Sequence, residues 1–169
     1  MSQKIPVTIV SGFLGAGKTT LINKVLKEKH GEHIAVVINE FGEIGVDHQF
    51  VLDVEEEIYQ MDNGCLCCTL SNDLALQLGD LADTEEFDYI IIEASGICEP
   101  IPITYNISAF CNQSQHATNH SHLNLDNIVA VVDCARMFEE FHNGADLLDP
   151  DIEEDDIENL LIQQIEFCS

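Results

Sequence analysis

The run Gly12-Phe13-Leu14-Gly15-Ala16-Gly17-Lys18-Thr19 has the residue types and spacing needed to hold a polyphosphate. Several donors must converge on such a group, and glycines at 12, 15 and 17 let successive backbone amides approach it without a side chain in the way. Lys18 stands at the start of a helix whose dipole favours anions and can reach the β and γ phosphates; the Thr19 hydroxyl is placed to ligate Mg2+. Ala16 and Thr20 complete the phosphate-side set. The alternative is a glycine-rich turn that binds nothing, and both the loop spacing and the flanking elements speak against it.

Two further groups of residues have chemistry to offer. Tyr89-Ile90-Ile91-Ile92 leads into Glu93-Ala94-Ser95-Gly96, which puts a carboxylate at a strand tip and a glycine three residues later. Glu93 can hold the hydration shell of Mg2+ and the Gly96 amide can contact a γ-phosphate, so the loop from Ala94 to Pro100 can change on hydrolysis. Lys18, Thr19 and Glu93 are thus the candidate catalytic residues. The second group is Gly64-Cys65-Leu66-Cys67-Cys68, three thiols within four residues. Thiolates suit Zn2+ or a similar thiophilic ion, and three ligands leave open the coordination position that exchange would use. Buried structural cysteines or a redox pair are the other readings.

The elements that must position these residues alternate. Ile5 to Val10, Ile34 to Ile38, Tyr89 to Ile92 and Ile128 to Val132 are short apolar runs of the kind found in a parallel sheet covered on both faces. Helical spacing occurs over Thr20 to Glu28, Asn72 to Ala82, Ile101 to Phe110, Ala135 to Phe141 and Asp155 to Phe167. This order predicts an α/β fold, a mostly parallel sheet with helices on both faces and ligands at the carboxyl ends of the strands. One domain over 1–169 is expected, with a polar, irregular insertion at about 112–124.

Composition narrows the partners. The formal net charge is −25; five of the six basic residues lie in the first 29 positions, and Arg136 is the other. Such a surface repels nucleic acid and anionic membranes, so neither is an expected partner. Solubility is a simpler reading of the acidity than dedicated cation attraction. No apolar run is long enough to cross a bilayer and the first residues lack a secretory pattern, which makes the cytoplasm the expected compartment. Seven cysteines, three of them packed together, suit thiolate chemistry in a reducing environment better than a disulfide framework.

The phosphate loop, then Asn39-Glu40-Phe41-Gly42-Glu43 with Asp47, then Asn63 to Cys68, then Glu93 to Gly96, together strongly resemble the CobW-type proteins, which belong with UreG and HypB among the metallochaperone GTPases. The resemblance implies a P-loop NTPase fold and GTP hydrolysis coupled to delivery of zinc or cobalt to a client protein, with GTP, GDP and Mg2+ as further ligands. Position by position, it implies that Gly12 to Thr19 bind the phosphates, that Thr19 and Glu93 serve Mg2+, and that Cys65, Cys67 and Cys68 hold the metal. Asn39 to Asp47 would be the first switch, with Glu43 and Asp47 as its carboxylates. His116, His120 and His122 are weak metal candidates, in a family that often carries histidine-rich stretches. The acidic run Asp146 to Glu158 lacks the spacing of a calcium loop and reads as a solvated helix start.

Family members continue from the helix resembling Leu160 to Phe167 into a strand ending in Asn-Lys-x-Asp, whose aspartate reads guanine. This chain stops at Ser169, so guanine preference rests on the resemblance, and the chain reads as an N-terminal GTPase domain cut before that motif. A missing last strand would leave an open sheet edge, which predicts poor stability or pairing with another chain, a homodimer included. Two competing functions remain. One is a nucleotide-responsive metal sensor or storage module with negligible turnover. The other is a P-loop kinase with a structural zinc, which needs an arginine-rich lid that a chain with one arginine does not offer.

Overall fold

The computed structural model describes residues 4–28, 31–38, 58–60, 72–113 and 123–169. Among the described residues five parallel strands are present: β1 (Ile5–Ser11), β2 (Ile34–Ile38), β3 (Ile58–Gln60), β4 (Tyr89–Glu93) and β5 (Leu123–Ala130), in the spatial order β3-β2-β4-β1-β5. The helices are α1 (Lys18–Lys27), α2 (Asn72–Asp83), α3 (Pro100–Gln113), α4 (Cys134–Glu140) and α5 (Ile157–Glu166). All five expected helices are present, each with ends within three residues of those read from the sequence.

Two apolar layers sandwich the sheet. Val7, Ile9, Ala35, Val37, Ile90 and Ile92 face α2 and α3, meeting Leu78, Leu81, Ile103 and Ile107. The alternate strand residues Val10, Val36, Ile38 and Ile91 face α1, where Ile22 and Leu26 cover them. Two-sided burial is why β2 reads Ile-Ala-Val-Val-Ile without alternation, and each fully buried aliphatic side chain contributes roughly 1.5–3 kcal/mol. Pro6 is tolerated in β1 because pairing with β4 begins only at Val7.

The two edges differ from expectation. β5 starts at Leu123, five residues before the apolar run Ile128 to Val132 and inside the expected insertion, and it stops at Ala130. Its first half alternates buried Leu123 with exposed Asn124 and Asp126, the pattern of a strand solvated on one side. The register shifts between Val7 and Thr8, where β1 passes from Leu125 to Asn127 and leaves Asp126 as a bulge. Past Ala130 the chain turns at Asp133, whose side chain caps α4 by accepting from the Ala135 and Arg136 amides at 2.9 and 3.1 Å. At the other edge, β3 has three residues, too few for a period to register in the sequence. Beyond β5 the Ser169 amide donates to Ile128 O at 2.9 Å, the single such bond on that edge among the described residues outside the β1 pairing.

Candidate phosphate and magnesium site

Strand register brings the first two motifs together. β1 and β4 are neighbours, Val10 lies opposite Glu93, and the Ala94 amide donates to Val10 O at 2.9 Å. The chain leaving β1 therefore turns directly beside the chain leaving β4. Gly12, at φ 142°, begins that turn where a Cβ would stand 2.3 Å from Val131 O. Glycine is needed at this position so that the loop can cross the end of β5, a packing reason that the reading from phosphate access did not include. Gly15 and Gly17 adopt φ 76° and 100°, left-handed conformations with open space around them, and Gly17 caps α1. Between them the Ala16 amide donates to Phe13 O at 3.1 Å, which closes the loop into a compact turn.

The side chains converge from there. The Lys18 ammonium donates to Gly12 O at 2.8 Å and Phe13 O at 3.3 Å, and the residue is buried. Across 74 positions of sequence, the Thr19 hydroxyl donates to Glu93 Oε1 at 2.8 Å. A cavity of about 250 Å3 opens over this pair, bordered by Gly15, Lys18, Thr19, Thr20, Glu93 and Gly96. Ammonium, helix N-terminus and loop amides line one side and a carboxylate the other. That arrangement suits an anion held through a bridging cation, and the hydroxyl–carboxylate pair is an all-oxygen set of the hardness Mg2+ takes.

Two residues that the sequence reading left without a role in the site touch it. Arg136 of α4 donates to Leu14 O at 3.0 Å, lies 4.6 Å from the centre of the Phe13 ring and pairs with Glu140 at 2.6 Å, so the one arginine braces the back of the phosphate loop. Gln164 of α5 is buried against the loop after Glu93. Gly96 sits so close to the phosphate loop that a Cβ there would lie 2.6 Å from Leu14 N and 2.8 Å from Leu14 Cα. A Gln on the apolar stripe of an amphipathic helix was the available signal for Gln164; for Arg136 there was none.

Glu43, Asp47, Cys65, Cys67, Cys68, His116, His120 and His122 lie outside the described residues, as does the segment 39–47. Among the described residues no group of three metal-ligating side chains converges, and no helix is long and apolar enough to cross a membrane. The four described cysteines are thiols of two kinds: Cys134 and Cys168 are exposed, Cys98 and Cys111 buried. Burial pushes the Cys111 thiol up, outweighing the opposing backbone hydrogen bonds and Lys4, so it stays protonated at neutral pH. Alkylation of native protein at pH 8 is expected to label Cys134 and Cys168 within minutes and Cys98 and Cys111 only on unfolding, as peptide mass mapping would read. Equal labelling of all four would contradict this packing.

The model of the CobW/HypB/UreG nucleotide-binding domain matches residues 6–169. The chain belongs to the CobW/HypB/UreG family. A relative from Dictyostelium discoideum, zinc-regulated GTPase metalloprotein activator 1, is 38% identical over 189 residues, covering 99% of this chain and 39% of that protein. The zinc chaperone YjiA of Escherichia coli is 41% identical over 143 residues, 82% of this chain and 43% of YjiA. A crystal structure of Zn(II)-bound YjiA GTPase, with one glutamate and two cysteines replaced by alanine, superposes with a TM-score of 0.53 at 29% identity, covering 83% of this chain and 44% of that one. This CobW-family chain thus spans about two fifths of the length of the relatives it matches. The expected α/β P-loop fold and the expected family are both confirmed.

Proposed function

We propose that this CobW-family domain binds and hydrolyses Mg2+-GTP and uses the cycle to gate binding of zinc and its release to a client protein. The observation that carries the nucleotide half is the 2.8 Å contact between Thr19 and Glu93 beside the Lys18 ammonium, which joins the phosphate and Mg2+ groups at one place. In this reading the Thr19 oxygen would ligate Mg2+ and Glu93 would hold its water shell, a position from which the ion would supply charge neutralisation at the phosphates. Lys18 turns from the Gly12 and Phe13 carbonyls to the β and γ phosphates.

The metal half is supported by the relatives' names as zinc chaperones and by chain geometry. Ile38 lies opposite both Gln60 and Glu93, so β2, β3 and β4 all end at the side of the sheet that carries the cavity. Cys65 follows Gln60 by five residues in the sequence. A γ-phosphate that draws segment 39–47 and the Glu93 loop inward would act on thiols tethered between them. The zinc in the YjiA crystal is bound to a variant lacking two cysteines and so does not report on a cysteine pair. GTP hydrolysis followed by phosphate release, with and without Mg2+ and against ATP, tests the enzyme reading. Mg2+-dependent turnover that zinc or client accelerates is expected; binding without turnover would favour the sensor reading.

A further inference from the structure

Gln164 lies near the end of α5, 2% exposed, one turn after the buried Leu161. Positions on that stripe are normally apolar. Its Nε2 lies 3.3 Å from Gly96 O and 3.3 Å from Cys98 O. Both partners are carbonyl oxygens, so the nitrogen end of the carboxamide has to face them. Its Oε1 is buried with no hydrogen-bond partner among the described residues. A leucine would fill the space without leaving that oxygen unsatisfied, so packing alone does not account for a glutamine.

The two carbonyls belong to the loop that follows Glu93. The Ala94 amide holds one end of that loop to Val10 O, the Cys98 amide closes a turn onto Ser95 O at 3.0 Å, and Gly96 presses on Leu14. A trans peptide points its carbonyl and its next N–H to opposite sides, so turning the Gly96 carbonyl towards α5 sends the Ile97 N–H away from α5. Gln164 therefore sets the orientation of peptide planes beside the cavity, from outside it. The last residue after the same helix is bonded to β5 through Ser169 N and Ile128 O, so α5 connects this loop to the sheet.

We propose that Gln164 is a positioning residue for the phosphate-sensing loop Ala94 to Cys98, holding it in the orientation from which Gly96 meets a terminal phosphate, without itself touching nucleotide. This rests on the reading of the Gly12 to Thr19 cradle as a triphosphate-hydrolysing site. The near-isosteric Gln164→Met removes both donors while keeping the volume, and Leu161→Ala serves as a purely packing change on the same helix. In the intact protein, three quantities are read: amide exchange of residues 94–99 without nucleotide, affinity for fluorescent Mg2+-GDP, and single-turnover GTP hydrolysis. For Gln164→Met, exchange at 96–98 is expected to rise and hydrolysis to fall by about tenfold or more, the scale of two lost hydrogen bonds, with GDP affinity within about twofold of wild type. Leu161→Ala is expected to lower Tm without that split. Unchanged loop exchange in Gln164→Met, or equal losses of GDP affinity and hydrolysis, overturns the positioning role. Wild-type protein that hydrolyses no triphosphate overturns the reading beneath it, and the exchange arm still decides whether Gln164 holds the loop.

Discussion

Replacing Lys18 by alanine is expected to weaken Mg2+-GTP binding by about 10- to 100-fold and to lower hydrolysis of what still binds by a further 10²- to 10³-fold, the range for losing charge-assisted bonds to an oligophosphate and a transition-state donor. The ammonium is already at the loop, 2.8 Å from Gly12 O, and has only to exchange carbonyl partners for phosphate oxygens. The gain is greatest where negative charge builds up, at the bridging and γ oxygens during transfer, so the loss in rate should exceed the loss in affinity. Lys18→Arg should not rescue, because a broad planar guanidinium fork does not fit a place shaped for a compact point charge. Titration with a fluorescent GTP analogue and a single-turnover assay separate the two losses. Full-strength binding by Lys18→Ala would mean that nucleotide does not sit over this loop.

Replacing Cys67 and Cys68 together by serine is expected to weaken Zn2+ binding by about 100-fold or more, since two of three thiolates are lost and a serine hydroxyl is a poor ligand for a borderline-soft ion. The same change should leave Mg2+-GDP affinity within about threefold, because among the described residues the cavity is bordered by Leu14, Gly15, Gly17 to Thr20, Ile38 and Glu93 to Gly96, with no cysteine. Chelator competition on the variant and on wild type gives the ratio. Retained zinc affinity would move the metal to other ligands, with His116, His120 and His122 the next to be tested by substitution.

The sequence showed most of what is buried and little of what is bridged. β2 was readable to the residue because both its faces are covered and its five residues are all apolar. β5 was displaced because its first half is half-solvated, so Asn124 and Asp126 hide the strand from a search for β-branched runs. The phosphate loop was legible because backbone chemistry imposes its spacing. Gly12 nonetheless also makes room for Val131 O, and in the loop after Glu93 Gly96 makes room for Leu14. Arg136 and Gln164 were not assigned to the site because their contacts cross 122 and up to 68 positions, a relation fixed by strand order rather than by any local pattern.

Whether nucleotide state sets zinc affinity is decided by chelator competition with the intact protein in three states: nucleotide-free, with Mg2+-GDP, and with a non-hydrolysable Mg2+-GTP analogue, an ATP analogue serving as the base control. Zn2+ binding is expected to be at least about tenfold tighter with the GTP analogue than in the other two states, the order of an ordinary coupling between sites. Equal affinity in all three states would contradict that coupling and leave a nucleotide-binding domain whose metal site, if any, works independently of the cycle.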